Sequence, residues 1–143
     1  MQSAAPESAF ELVFTPDTAD IDALGHVNNT VYLRWAQDIA TDHWRLLAPK
    51  ADVDRFVWVV TRHEIDYRTS ILPGERVKAQ TWVSDTPKGA TWDRFVVFRR
   101  EDDAKPAAVC KSTWAILDAV RRRPVRPPQA IVDAFKQVAG PPP

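Results

Sequence analysis

The chain has 143 residues, 45% hydrophobic and 10% aromatic, which suits one domain with a real core and excludes a disordered chain. Its formal charge is zero, 19 Lys and Arg against 19 Asp and Glu, which argues against general nucleic-acid binding. No apolar run nears the ~18 residues of a membrane span, MQSAAPES lacks the pattern of a signal peptide, and Cys110 stands alone, so a cytoplasmic setting is expected.

A single domain is expected over residues 1–143, with tails at 1–8 and 139–143. Residues 9–15 alternate Phe10, Leu12 and Phe14 and read as a strand stopped by Pro16. A loop rich in Asp, Gly and Asn fills 17–29. An amphipathic helix follows, with Tyr32, Trp35, Ala36, Ile39, Ala40, His43 and Leu47 on one face. Asn28 or Asn29 suits its N-cap, and Pro49 marks its end.

Four strand-like runs come next. Residues 56–67 alternate Val57, Val59, Thr61, His63, Ile65 and Tyr67 against Trp58, Val60, Arg62, Glu64 and Asp66. Runs at 75–84, 90–100 and 107–117 are separated by turns such as Leu72-Pro73-Gly74 and Pro87-Lys88-Gly89. A short closing helix is expected over 129–138. Short connections demand antiparallel pairing, and one long helix must bury its stripe on the sheet's concave side. The class is α+β.

The densest chemistry lies in Asp20-Ile21-Asp22-Ala23-Leu24-Gly25-His26-Val27-Asn28-Asn29. Two carboxylates, an imidazole and two amides sit beside a helix N-terminus, whose free N–H groups favour developing negative charge. That combination suits attack on a carbonyl; it is equally the composition of a capped loop.

The pattern D-x-D-x-x-G-H-V-N-N-x-x-Y, followed on the helix by L-R-W, resembles the hotdog-fold acyl-CoA thioesterases of the 4-hydroxybenzoyl-CoA thioesterase type. Ile65-Asp66-Tyr67 with Leu72-Pro73-Gly74-Glu75, and Ala115-Ile116-Leu117-Asp118 with Arg123-Pro124-Val125-Arg126, are similar to later elements of that family, so the likeness spans about residues 9–137. It implies a central helix wrapped by a curved antiparallel sheet of about five strands, in homodimers or homotetramers with active sites at the subunit interface.

The resemblance puts Asp22 at the catalytic carboxylate and Asn29 where a backbone N–H polarises the thioester carbonyl. His26 matches a histidine four positions after that Asp, giving an Asp–His pair. Gly25 would allow close approach of substrate, Asn28 lies beside it, and Tyr32 is expected in packing or pocket lining. Two positions depart from relatives: Leu24 stands where plant acyl-ACP thioesterases carry Asn, and Gln37 where several relatives carry an acid. Acyl-CoA is thus the expected substrate, without cofactor or metal.

His43, on the apolar helix face, reads as a core histidine, and His63 as packing or a contact to the acyl pocket. The Trp residues read as core or dimer contacts, with a convex sheet face rich in Trp. Residues 1–70 carry eleven acids against six Lys and Arg, and the remainder eight against thirteen. Within that basic half, Arg121-Arg122-Arg123-Pro124-Val125-Arg126 is the sharpest run, and with Arg68, Thr69 and Ser70 it is a candidate for the phosphates of CoA. The rival activities are acyl-ACP hydrolysis and hotdog enoyl-CoA hydration; the non-enzyme rival is an acyl-CoA or acyl-carrier binding module.

Overall fold

The structure is a computed structural model that describes residues 4–139. Its elements in chain order are β1 (Phe10–Phe14), a 3-10 turn (Thr18–Asp20), α1 (Asn29–Leu47), α2 (Lys50–Arg55), β2 (Phe56–Tyr67), β3 (Val77–Val83), β4 (Thr91–Arg100), β5 (Ala108–Asp118) and α3 (Gln129–Ala139). The five strands form one sheet in the order β1-β3-β4-β5-β2, every neighbouring pair antiparallel.

α1 forms where apolar residues recur at helical spacing. Val31, Tyr32, Trp35, Ala36, Ile39, Ala40, His43 and Trp44 are buried along one side. Asn28 is the N-cap, its side-chain oxygen accepting the Thr30 N–H at 2.9 Å. The helix stops at Ala48, because the residue before Pro49 is pushed out of the helical region. Tyr32, Trp35 and Ile39 pack with Val77, Ala79, Val96 and Phe98 of the sheet. Ile39 is fully buried, a contribution of roughly 1.5–3 kcal/mol for such a side chain.

Four expectations are corrected. α2 lay unseen in the sequence because it is short and charged, steadied by an exposed Lys50–Asp54 pair rather than an apolar stripe. β3 begins at Val77, not 75, because Glu75 closes the preceding turn: its carboxylate accepts the Leu72 N–H at 2.7 Å and pairs with Arg100. The simple alternation of β2 breaks at Thr61, where a bulge shifts the register between Val60 and Arg62. Trp58 before the bulge and Ile65 and Tyr67 after it therefore all face α1, as their contacts with Trp44, with the α1 core and with Tyr32 show.

The outer face is not rich in Trp: Trp82 lies there with Val97, Val109 and Phe95, while Trp44, Trp58 and Trp92 share a cluster on the helix side. Ala5 and Ala9 also pack on that outer cluster. Met1–Ser3 and the final Gly140-Pro141-Pro142-Pro143 of the expected tails lie outside the described residues. No helix among the described residues is long and apolar enough to cross a membrane.

Candidate active site

The loop between β1 and α1 is held in a fixed shape by its own polar groups. Asp22 donates its N–H to the His26 carbonyl at 2.8 Å, and its Oδ1 accepts the Leu24 N–H at 2.9 Å and the His26 N–H at 3.3 Å. An Asx-type loop of this kind needs an acceptor at Asp22 whatever else the residue does. Oδ2 of Asp22 accepts no hydrogen bond among the described residues. Gly25 sits at φ +81°, which explains the glycine; a Cβ there would meet open space. Conformation rather than close approach therefore sets this residue, and Gly25 does not line the cleft.

Asp20, the first acid of the pair, is buried and structural. Its Oδ1 pairs with Arg34 at 2.9 Å and its Oδ2 accepts the Asp17 N–H. Burial alone would raise its pKa, but the Asp17 N–H and the Arg34 guanidinium overcome that and hold it below the usual carboxylate range.

A cleft of about 340 Å³ opens beside this loop, lined by Asp22, Leu24, His26, Val27, Asn28, Asn29, Tyr32, Tyr67, Arg68, Thr69 and Ser70. Eight sequence-derived candidates thus meet in one place: Asp22, His26, Asn28, Asn29, Tyr32, Arg68, Thr69 and Ser70. Asn28 spends its side-chain oxygen on the cap, accepting both the N–H and the hydroxyl of Thr30. Asn29 opens α1, where backbone N–H groups lack intrahelical acceptors. Tyr32 is buried edge-on to Trp35, Tyr67 and Phe98, and burial pushes its phenol up to about 12. Arg68 and Thr69 are positioned by their N–H groups, which both donate to the Ala107 carbonyl.

Ser70, expected with Arg68 and Thr69 as a phosphate contact, lines the cleft, and so does Tyr67, which was not among the site candidates. The Tyr67 hydroxyl donates to the Asn29 carbonyl at 3.0 Å, tying the end of β2 to the start of α1. Ser70 Oγ lies 3.3 Å from His26 Nδ1. The Asp–His pair expected from the resemblance is therefore a backbone contact: the imidazole of His26 meets Ser70, and the Asp22 carboxylate meets the His26 N–H. The sequence reading placed Ser70 with Arg68 and Thr69 but not beside His26.

Other candidates lie elsewhere. His63 is four residues back along β2, where its Nδ1 meets Ser112 Oγ at 2.6 Å and burial lowers its pKa. Arg121 and Arg123 follow β5 at its Asp118 end, in a turn fixed by Asp118 Oδ1 accepting the Val120 and Arg121 N–H groups. That end of β5 pairs with Phe56, whereas Tyr67 pairs with Ala108. Within one chain the arginine turn and the cleft are thus separated by the length of β2, roughly 35 Å at ~3.3 Å per residue.

A model of the thioesterase-like superfamily matches residues 16–135, from the end of β1 to the middle of α3. The chain belongs to the thioesterase-like superfamily. The superfamily's chemistry is thioester hydrolysis, and the fold of this member is the hotdog. A thioesterase from Thermus thermophilus complexed with coenzyme A and zinc superposes with a TM-score of 0.80 at 22% identity, covering 95% of this chain and 97% of that one. A 1,4-dihydroxy-2-naphthoyl-CoA thioesterase from Synechocystis superposes with a TM-score of 0.77 at 15% identity, over 93% and 99%. A Staphylococcus aureus protein in complex with CoA gives 0.81 at 13%, over 99% and 90%. At such identities the likeness is one of fold. No curated protein matches the sequence. Among the described residues of this thioesterase-like chain, no group of three or more His, Cys, Asp and Glu side chains gathers as a metal site would require.

Proposed function

We propose that the protein hydrolyses acyl-CoA thioesters to a free carboxylic acid and CoA, with Asp22 as general base or nucleophile. One observation carries this reading: Asp22 has one carboxylate oxygen held by loop N–H groups and the other unpaired, in a cleft shared with the first residue of α1. The held oxygen fixes the carboxylate's orientation, and the unpaired one is available to water or to the acyl carbon. In the base route, Asp22 takes a proton from water as the hydroxyl oxygen bonds to the acyl carbon. The C–S bond then breaks and the departing thiolate recovers a proton. The Asn29 N–H supplies a donor for the oxyanion, an interaction worth about 2.7–4 kcal/mol in comparable sites.

The assembly proposed is a two-fold dimer through β2. That strand is twelve residues long, free of proline and, among the described residues, unpaired on its outer side, whereas the opposite edge, β1, has five residues. Antiparallel pairing of two β2 strands would bring the Arg121–Arg123 turn of one subunit towards Tyr67 and Arg68 of the other. The phosphates of CoA would then lie among Arg68, Thr69 and the arginines of the partner's turn. A reducing, cytoplasmic setting is part of this reading and rests on the lone, buried Cys110.

The test is steady-state thiol release from a panel of aryl, short and long acyl-CoAs. Thiol release supports hydrolysis. Hydration of an enoyl-CoA without thiol release would assign the rival reaction, and saturable binding without turnover a binding module. Acyl-ACP hydrolysed in preference to acyl-CoA would move the substrate class.

A further inference from the structure

A second cavity, about 240 Å³, lies between the C-terminal half of α1, the start of β2 and the inner face of β4 and β5. Its walls are strongly aromatic, with Trp44, Trp58, Trp92, Trp114 and Phe135. The deep charged residue among them is Arg94, 6% exposed. Arg45 also lines the cavity, and no Asp or Glu does.

Arg94 has neighbours but no counter-ion among the described residues. Its Nη1 donates to His43 Nδ1 at 2.9 Å and to Thr81 Oγ1 at 3.0 Å, and its guanidinium lies 5.6 Å from the Phe135 ring centroid. Both partners are neutral: an Nδ1 that accepts from arginine is unprotonated, and burial with the Arg94 charge lowers the His43 pKa to about 3. Burial lowers Arg94 itself to about 9, which leaves it charged at neutral pH. The two Nη1 hydrogens are therefore occupied, while those on Nη2 and Nε form a side-on fork of the shape a carboxylate takes. A buried cation without an anion is costly, so the cavity is electrostatically incomplete.

A second observation agrees. The indole nitrogens of Trp58 and Trp114 are buried and have no acceptor among the described residues, although that of Trp92 donates to the Ser84 carbonyl at 2.9 Å. Water would supply acceptors and no charge. A chloride ion would supply charge and leave the aromatic walls wet. An organic acid supplies charge, acceptors and apolar surface together. A cavity of about 150 Å³ accommodates benzene, so this one holds a ring with a carboxyl group but no nucleotide.

We propose that this cavity binds a small apolar carboxylate, aryl or short alkyl, through a side-on ion pair with Arg94 and hydrogen bonds from the Trp58 and Trp114 indoles. The site is distinct from the loop cleft within the chain, since the two use opposite ends of β2. It stands on its own charge balance, not on the reaction proposed above.

Titration of the intact protein with phenylacetate, followed by calorimetry and by Trp fluorescence, tests the proposal. Saturable binding is expected, with phenylacetamide at least ~10-fold weaker and acetate or chloride failing to compete at equal concentration. Arg94→Gln should bind acid and amide alike. Should that variant not fold, Thr41→Trp at the cavity wall keeps the guanidinium and should abolish phenylacetate binding while preserving the circular dichroism spectrum. Equal affinity of acid and amide in the wild-type protein, wild-type binding by folded Thr41→Trp, or no saturation with phenylacetate overturns the proposal. Thiol release measured in parallel is read separately: a protein that binds phenylacetate but hydrolyses nothing keeps this site and loses the proposed reaction.

Discussion

Asp22 and His26 clasp each other through the backbone in both directions: the Asp22 N–H donates to the His26 carbonyl, and the His26 N–H donates to the Asp22 carboxylate. Asp22 thus shapes the loop as well as carrying the proposed chemistry, and two substitutions separate the roles. Asparagine keeps an acceptor oxygen for the Leu24 and His26 N–H groups; alanine does not. Asp22→Asn and Asp22→Ala should both lower hydrolysis by at least ~100-fold, the lower range for a lost base. Only Asp22→Ala should also lose stability, by about 1 kcal/mol, in denaturant titrations. Near wild-type thiol release by Asp22→Ala would remove the residue from the mechanism.

The unpaired edge of β2 carries Val59, which is 45% exposed. Sedimentation equilibrium should find at least a dimer. Val59→Asp should shift it towards monomer and reduce activity in step, because like charges meet when two copies of the strand approach. A fully active monomer would contradict a site completed by the partner.

Replacing Arg121 and Arg123 together by Gln should raise KM for acyl-CoA several-fold and leave kcat nearly unchanged, as for contacts equal in ground and transition states. The same protein should match wild type on an acyl-N-acetylcysteamine, which lacks the nucleotide. In the Val59→Asp background the effect should shrink, since the turn reaches the cleft only across the dimer. Equal losses on both substrates would make the arginines structural.

His43 predicts an acid limb in stability. Its pKa falls from 6.5 to about 3 on folding, through burial first and the Arg94 charge second. The unfolded chain therefore binds the extra proton between those values. The stabilisation is complete above pH 6.5 and is lost as pH falls towards 3, with a slope of up to about 1.36 kcal/mol per pH unit. His43→Gln, which can still accept from Arg94 and does not titrate, should flatten the dependence in denaturant unfolding between pH 6 and 4. An unchanged slope would show that other groups carry it.

Local patterns made α1, its Asn28 cap and the Asp22–Asn29 loop legible, because each depends on residues a few positions apart. The bulge at Thr61 was not legible: Val57, Val59, Thr61, Ile65 and Tyr67 read as one uninterrupted face, and only the pairing with β5 shows the slip. One hint stood in the row itself, since 57–60 is apolar at every position and 62–67 is not. Ser70 beside His26 and Arg94 beside His43 join positions 44 and 51 residues apart, which no local periodicity encodes. The placement of Arg121 and Arg123 depended on strand order, which short connections do not determine.

That strand order also governs how the chain reaches its native state. β3, β4 and β5 are neighbours in sequence and can pair early. β2 must join β5 across a separation that grows from 41 residues at Tyr67–Ala108 to 62 at Phe56–Asp118. Such closure is entropically costly and slow. Until it happens, β5 presents an open rim eleven residues long, and any second chain in the same condition can occupy it. Refolding yield should therefore fall with protein concentration under conditions where the finished molecule is fully stable, because the vulnerable species is the half-assembled sheet.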